Sequence, residues 1–145
     1  MRIAELAGRR VAIWGFGREG RAVLRVLRQH LPAQKLSLLC NAAEAEAAHA
    51  FDPALGLLVG EPDAATLGAF DVVVKSPGIS AYKPALLEAQ ARGTQFTSGT
   101  ALWFAENPQA RVIGVTGTKG KSTTSALIAH LARALGVRTA LAGNI

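Results

Sequence analysis

Only one cysteine, Cys40, occurs in 145 residues. That excludes an internal disulfide framework and fits a reducing compartment. Long apolar runs are missing as well, since none approaches the ~18 residues needed to span a bilayer. The N-terminal stretch "MRIAELAGRRVAIWG" lacks a signal-peptide layout, because its apolar part is short and bounded by glycine. Charge is sparse at 18%, whereas half of the residues are hydrophobic, so the chain can bury a core and does not read as disordered. A net charge of +6 comes from arginines spread over helix-like segments (Arg21, Arg25, Arg28, Arg133, Arg138) with no dense basic block. No nucleic-acid recognition motif accompanies it, so the basic surface is either simply solvated or attracts a small polyanion. A cytoplasmic protein without membrane or nucleic-acid partners is expected, and a monomer.

What is present is an alternation of short apolar runs and helical patterns. "RVAIW" (10–14), "KLSLLC" (35–40), "LGLLV" (55–59), "DVVVK" (71–75), "TQFT" (94–97) and "RVIGVT" (111–116) read as buried parallel strands bounded by glycine, proline or aspartate. Between them, "GRAVLRVLRQHL" carries Val23, Leu24, Leu27 and Leu31 on one helical face and stops at Pro32. "KPALLEAQARG" has proline where a helix begins and Gly93 where one ends. "STTSALIAHLARALG" spaces Leu127, Leu131 and Leu135 four apart before Gly136, and "NAAEAEAAHA" (41–50) reads as an exposed helix. Strand and helix in alternation predict an α/β fold with a parallel sheet and right-handed crossovers.

Two glycine loops stand where phosphates bind in such folds. "VAIWGFGREG" sets Gly15, Gly17 and Gly20 in a GxGxxG array between a strand and a helix. A dinucleotide site also wants an acid at the end of the second strand, but Asn41 occupies that place and Glu44 is the first carboxylate after it. A nicotinamide, some other phosphorylated ligand and a purely structural turn therefore remain open here. A third turn, "VVVKSPGIS" (72–80), falls on the same edge of the sheet. The second loop, "VIGVTGTKGKSTT" (112–124), runs from an apolar segment through glycines into Lys121 and Ser122. It misses the general phosphate-loop spacing by one residue, since Val115 stands where the first glycine belongs. Its chemistry still suits phosphate, because backbone N–H groups and a helix N-terminus converge beside an ammonium. The alternative is a turn whose Ser/Thr residues cap the helix.

Taken in order, GxGxxG, "SPGI" (76–79), "VTGTKGKSTT" (115–124) and "GNI" (143–145) resemble the Mur ligases, ATP-dependent amide-forming enzymes of peptidoglycan precursor synthesis. The likeness covers the whole chain and is greatest to the branch that adds glutamate to UDP-N-acetylmuramoyl-L-alanine. "GREG", "VVVKSPGIS", "GTALWFAE" and "GTKGKSTT" resemble a group that uses L-glutamate in place of D-glutamate. The resemblance implies a Rossmann-like parallel-sheet domain over 1–98 that binds the uridine nucleotide. It also implies the truncated start of a P-loop ATPase-type α/β domain over 99–145, with the boundary in or just before "AENPQA" (105–110). ATP would contact Gly117, Thr118, Lys119, Gly120, Lys121, Ser122 and Thr123, with Lys121 as the catalytic cation and Ser122 near Mg²⁺. The UDP substrate would contact Gly15, Gly17, Arg18, Glu19, Gly20, Asn41, Gly78 and Asn144.

The implied reaction activates the alanyl carboxylate as an acyl phosphate, which the glutamate amine then displaces. The sequence departs from the family in three places. Lys119 stands where asparagine is more common, Asn41 where aspartate is frequent, and no acid lies between Thr94 and Phe104. The segment "VRTALAGNI" (137–145) reads as the start of a further strand, so the chain is expected to be an N-terminal fragment, inactive alone. The competing expectations are a folylpolyglutamate synthase-like ligase and an NAD-dependent oxidoreductase.

Overall fold

The computed structural model describes residues 1–143, which fall into two compact units, Met1–Pro108 and a second that begins at Gln109. In the first, β-branched and leucine-rich runs form five strands: β1 (Val11–Trp14), β2 (Leu36–Cys40), β3 (Gly56–Val59), β4 (Val72–Lys75) and β5 (Gln95–Thr97). They make one parallel sheet in the order β3-β2-β1-β4-β5. Val11 lies level with Leu36 on one side and Val72 on the other, which fixes the register of the three central strands.

Helices cover both faces, as the strands' continuous hydrophobicity requires. Alternate residues of β1 enter different layers. Val11 and Ile13 pack with Val23, Leu24 and Leu27 of α1 (Arg18–His30). Ala12 and Trp14 instead meet Leu67 of α3 (Ala64–Gly68) and Leu86 of α4 (Pro84–Ala91). Each large side chain so buried contributes about 1.5–3 kcal/mol against exposure. α2 (Ala42–Phe51) buries only Ala48 fully and is otherwise a surface helix, as its alanine-glutamate sequence predicts. α5 (Gly99–Glu106) lays Leu102 into the α1 layer, and a short 3-10 helix at Ile3–Leu6 closes the bottom of that layer.

The strand order places the topological switch between β1 and β4. From there the chain winds outward to β2 and β3 on one side and to β5 on the other. Helix N-termini and open backbone gather at that point on the carboxyl edge of the sheet.

In the second unit, α6 (Lys121–Ala134) follows the glycine loop. The strand expected over 111–116 does not form, nor does one over 137–142. An extended run becomes a strand only when its N–H and C=O groups find a ladder partner, and among the described residues this unit supplies none. For the same reason Leu127, Leu131 and Leu135 line a helix face that stays exposed, at 57%, 55% and 83%. Asn144 lies outside the described residues.

Candidate nucleotide-binding site

The first glycine loop continues β1 directly. Gly15 N–H donates to the Leu39 carbonyl at 2.8 Å, so the loop begins as one more rung of the β1–β2 ladder. Gly15 then takes φ = +97°, a left-handed conformation that costs a residue with a Cβ and turns the chain toward α1. Gly17 is the N-cap of α1 and bears no capping side chain, leaving the first-turn N–H groups without side-chain partners. Gly20 meets the strand end so closely that a Cβ there would lie 2.0 Å from the Gly15 carbonyl oxygen. The third glycine therefore sets the distance between helix and sheet.

The β4 loop faces it. Ser76 N–H extends the β1–β4 ladder by donating to the Trp14 carbonyl at 2.9 Å, and the Ser76 hydroxyl lies 3.4 Å from the Gly15 carbonyl. The turn through Pro77 and Gly78 is closed by Ile79 N–H on the Ser76 carbonyl at 3.1 Å. Lys75 bends back and donates through Nζ to the Ile79 carbonyl at 2.9 Å. "SPGI" is thus a pre-tied turn whose Gly78 is exposed beside the glycine loop.

Glu19 and Lys75 both line the narrow crevice between these loops, with Gly99 at the start of α5. Glu19 Oε2 is buried there and accepts no hydrogen bond among the described residues. Gly99 permits this approach, because a Cβ on it would come within 2.8 Å of Val23 Cγ2 and 4.0 Å of Glu19 Oε2. Lys75 and Ser76 belong to the "VVVKSPGIS" turn that the sequence places on this edge, although neither stood out by itself, and Gly99 escaped the sequence reading. Ser98 is the missed clue, since it caps α5 by accepting from Ala101 N–H at 3.1 Å and so starts a helix at the crevice.

Arg18 is exposed at the first position of α1. Asn41 directly follows β2 at the same sheet edge, but its side chain is engaged. Its Oδ1 accepts from Glu44 N–H at 2.9 Å while Glu44 Oε2 accepts from Asn41 N–H at 3.2 Å, a reciprocal capping box for α2. Gly15, Gly17, Arg18, Glu19, Gly20, Asn41 and Gly78 therefore share one edge. Beside Asn41, burial foremost and the Glu44 charge second push the Cys40 thiol up, keeping it protonated and unreactive at neutral pH.

The second loop, considered within its own unit, starts α6 at Gly120, which adopts φ = +75° and offers no side-chain cap. Ser122 and Thr123 fall inside the helix, so neither is the N-cap that a merely structural turn would need. The N–H groups of the first turn thus open toward the loop without a side-chain acceptor. Thr118 and Lys119 are exposed, and Lys121 folds its ammonium back onto the Gly117 carbonyl. Among the described residues no cluster of three His, Cys, Asp or Glu is arranged to hold a metal.

A doubly wound parallel sheet with glycine turns at its switch point defines an α/β fold of the nucleotide-binding class. Residues 9–98 match the family described as "Mur ligase MurD-like, N-terminal domain", and the chain belongs to that family. Over its full length it is 57% identical to the UDP-N-acetylmuramoyl-L-alanine–L-glutamate ligase of Xanthomonas euvesicatoria pv. vesicatoria (strain 85-10). It is 55% identical to the ligase of that name from Xanthomonas axonopodis pv. citri (strain 306), and 52% to that from Xylella fastidiosa (strain Temecula1 / ATCC 700964). In each case all of this chain is covered but only 32% of the relative, so the chain spans about a third of the length of these curated relatives. The folylpolyglutamate synthase-like and oxidoreductase readings find no support in this match. No helix among the described residues is long and apolar enough to cross a membrane.

Proposed function

We propose that this chain is the N-terminal part of an ATP-dependent, ADP-forming ligase that joins glutamate to UDP-N-acetylmuramoyl-L-alanine in peptidoglycan precursor synthesis in the cytoplasm. The amino acid is L-glutamate on this reading, because that is the substrate in the names of the relatives that match the chain end to end. The observation that carries the proposal is the agreement between the match over residues 9–98 and the glycine-walled switch point that those residues build.

Residues 1–98 form the uridine-nucleotide domain in this reading and 99–145 begin the ATP-binding domain. The diphosphate lies against Gly15–Gly20, where Gly17 and the first turn of α1 present N–H groups and Arg18 adds a cation. Glu19, an acceptor without a donor, suits a hydroxyl or N–H of the nucleoside and repels a phosphate, so it faces the sugar side. Asn41 holds α2 in place at the same edge, and Gly78 adds an exposed backbone contact beside the glycine loop.

The loop 117–123 fits a polyphosphate, because its αL glycine and uncapped first turn leave donors directed outward. ATP, when bound there with Mg²⁺, supplies the phosphoryl group that activates the alanyl carboxylate. Lys121 neutralises phosphate charge so that one anion can approach another, Lys119 adds a second ammonium at the rim, and the Ser122 hydroxyl is the metal ligand. The protein's part is alignment and charge compensation.

The deciding experiment assays the full-length protein for ADP release with UDP-N-acetylmuramoyl-L-alanine and each glutamate enantiomer. Turnover with L-glutamate is expected. Absence of ADP with both enantiomers would remove the proposal. Lys121→Ala should lower kcat/KM by roughly 10²–10³, the scale of losing one charge-stabilising group at a reacting centre.

A further inference from the structure

At the opposite edge of the sheet, where β1, β4 and β5 begin, a second hollow of about 140 Å³ opens against the ends of α3 and α4. Three arginines are among its lining residues, Arg9, Arg10 and Arg92, with Asp71 the one acidic residue. Two of these cations are matched. Arg10 Nη2 lies 2.6 Å from Asp71 Oδ1, and Arg92 pairs with Glu88 one turn back along α4. Among the described residues Arg9 forms no ion pair; its side chain donates to the neutral amide oxygen of Gln95 at 3.2 Å, and its charge acts on Asp71 only through space. Three cations against two carboxylates leave one positive charge uncompensated at the hollow. Guanidinium forks also keep donors in reserve, since each carries about five N–H groups.

The space is held open by the backbone. Gly68 and Gly93 line the hollow, and a Cβ added to either would meet no atom within 4 Å. Thr94 is a buried polar residue, with its hydroxyl 3.1 Å from the Phe70 carbonyl, and it fastens the start of β5 to the turn that forms the rear wall. The C-terminal carbonyls of α3 and α4 end near this edge and oppose an anion. They carry at most about half a charge per helix, and α3 has only five residues. A full unmatched charge outweighs them.

We propose that this hollow is an anion site taking a phosphate-sized oxyanion, gripped by Arg9 and Arg92 beside the Arg10–Asp71 pair. Its chemistry suits free phosphate and the phosphoryl group of a larger molecule alike. The test is a two-dimensional ¹H–¹⁵N titration of the whole chain with inorganic phosphate, ionic strength being held constant with chloride. Glycerol 3-phosphate serves in a parallel arm as a phosphomonoester. Saturable shifts are expected at the amides of Gly68, Gly93 and Thr94, and the tighter-binding arm identifies the source. Arg9→Gln should weaken binding there by about tenfold, the scale of one charge-assisted hydrogen bond. Gly68→Glu, which places a carboxylate in the open space, should abolish it. Per-residue readout separates this site from binding at 15–20 or 117–123. Shifts that rise without saturation, that chloride reproduces, or that persist unchanged in Arg9→Gln would overturn the proposal. Should Gly68→Glu fail to fold, Arg9→Gln still decides, because it breaks no ion pair and leaves the Arg10–Asp71 and Arg92–Glu88 pairs in place.

Discussion

Gly20→Ala is the sharpest probe of the switch point. The added methyl would sit 2.0 Å from the Gly15 carbonyl oxygen and 3.1 Å from its carbon, both backbone atoms held in the β1–β2 ladder by Gly15 N–H on Leu39. No rotamer relieves such a contact, so α1 must lift from the sheet or the Gly15 turn must open. Overpacking a core costs about 1–3 kcal/mol, and a clash between backbones belongs at or above the top of that range. At about 4–8 °C per kcal/mol for a unit of this size, melting should fall by roughly 12–24 °C. Gly17→Ala is the control. Its Cβ would meet nothing within 4 Å and its φ of −68° suits alanine, so only the modest cost of alanine at an N-cap applies, below about 1 kcal/mol. Urea denaturation of both variants beside the parent measures the contrast. A Gly20→Ala midpoint within the error of the Gly17→Ala midpoint would refute the idea that the third glycine sets the helix–sheet distance.

Asn41→Ala removes one half of the α2 capping box and should cost about 1 kcal/mol in urea denaturation, whereas Asn41→Asp keeps the acceptor and most of the stability. Leu24→Ala, fully buried in the α1 layer, should cost about 2–5 kcal/mol by the same measurement. The Arg10 guanidinium, first, and the Arg10 backbone N–H, second, hold the Asp71 carboxyl down at about 2, against 3.8 for an ordinary aspartate. A depressed carboxyl pKa stabilises the folded state fully above the unfolded value. That contribution fades as pH falls from about 3.8 toward 2. Asp71→Asn should therefore be less stable than the parent at neutral pH, with the gap closing between pH 4 and pH 2. A gap that stays constant over that window contradicts the assignment.

The three central strands β1, β2 and β4 were legible because burial on both faces leaves each a short unmixed apolar run. The edge strands β3 and β5 are largely open to solvent and were marked instead by the turn residues that bound them. α1 was equally plain, since Val23, Leu24 and Leu27 recur at helical spacing and Pro32 follows. α3 and α5 were not. α3 has only five residues, too few to show a period, and is betrayed only by Asp63, whose Oδ1 accepts from Thr66 N–H at 2.7 Å. α5 begins Gly-Thr, a poor helical start, and is specified instead by the Ser98 cap and by the space that Gly99 leaves for Val23. The run "RVIGVT" shows the opposite failure. Its β-branched residues fit a strand, yet strand formation is a property of a pair, and propensity cannot supply the partner. The GxGxxG spacing foretold the loop's position, but not that Glu19 would turn an unpartnered oxygen inward. That depends on α5, which begins far along the chain at Gly99.

On the proposed reading, the two glycine loops stand at different degrees of readiness, with a consequence for binding. Gly15 is fixed by a ladder hydrogen bond, the "SPGI" turn is tied at both ends, and Gly20 seats α1 against the strand. A uridine nucleotide arriving there meets donors already in place and asks for little ordering. In the second loop the Lys121 ammonium is occupied by the Gly117 carbonyl. It must leave that oxygen before it can clamp a phosphate. The contact is exposed, so water replaces it and the cost is on the order of 1 kcal/mol, about fivefold in ATP affinity. Thr118 and Lys119 should then reorganise on ATP binding while Gly15–Gly20 stays as it is. Coordinates of the full-length protein with ATP bound and Lys121 still on Gly117 would show that the loop is rigid and this asymmetry absent.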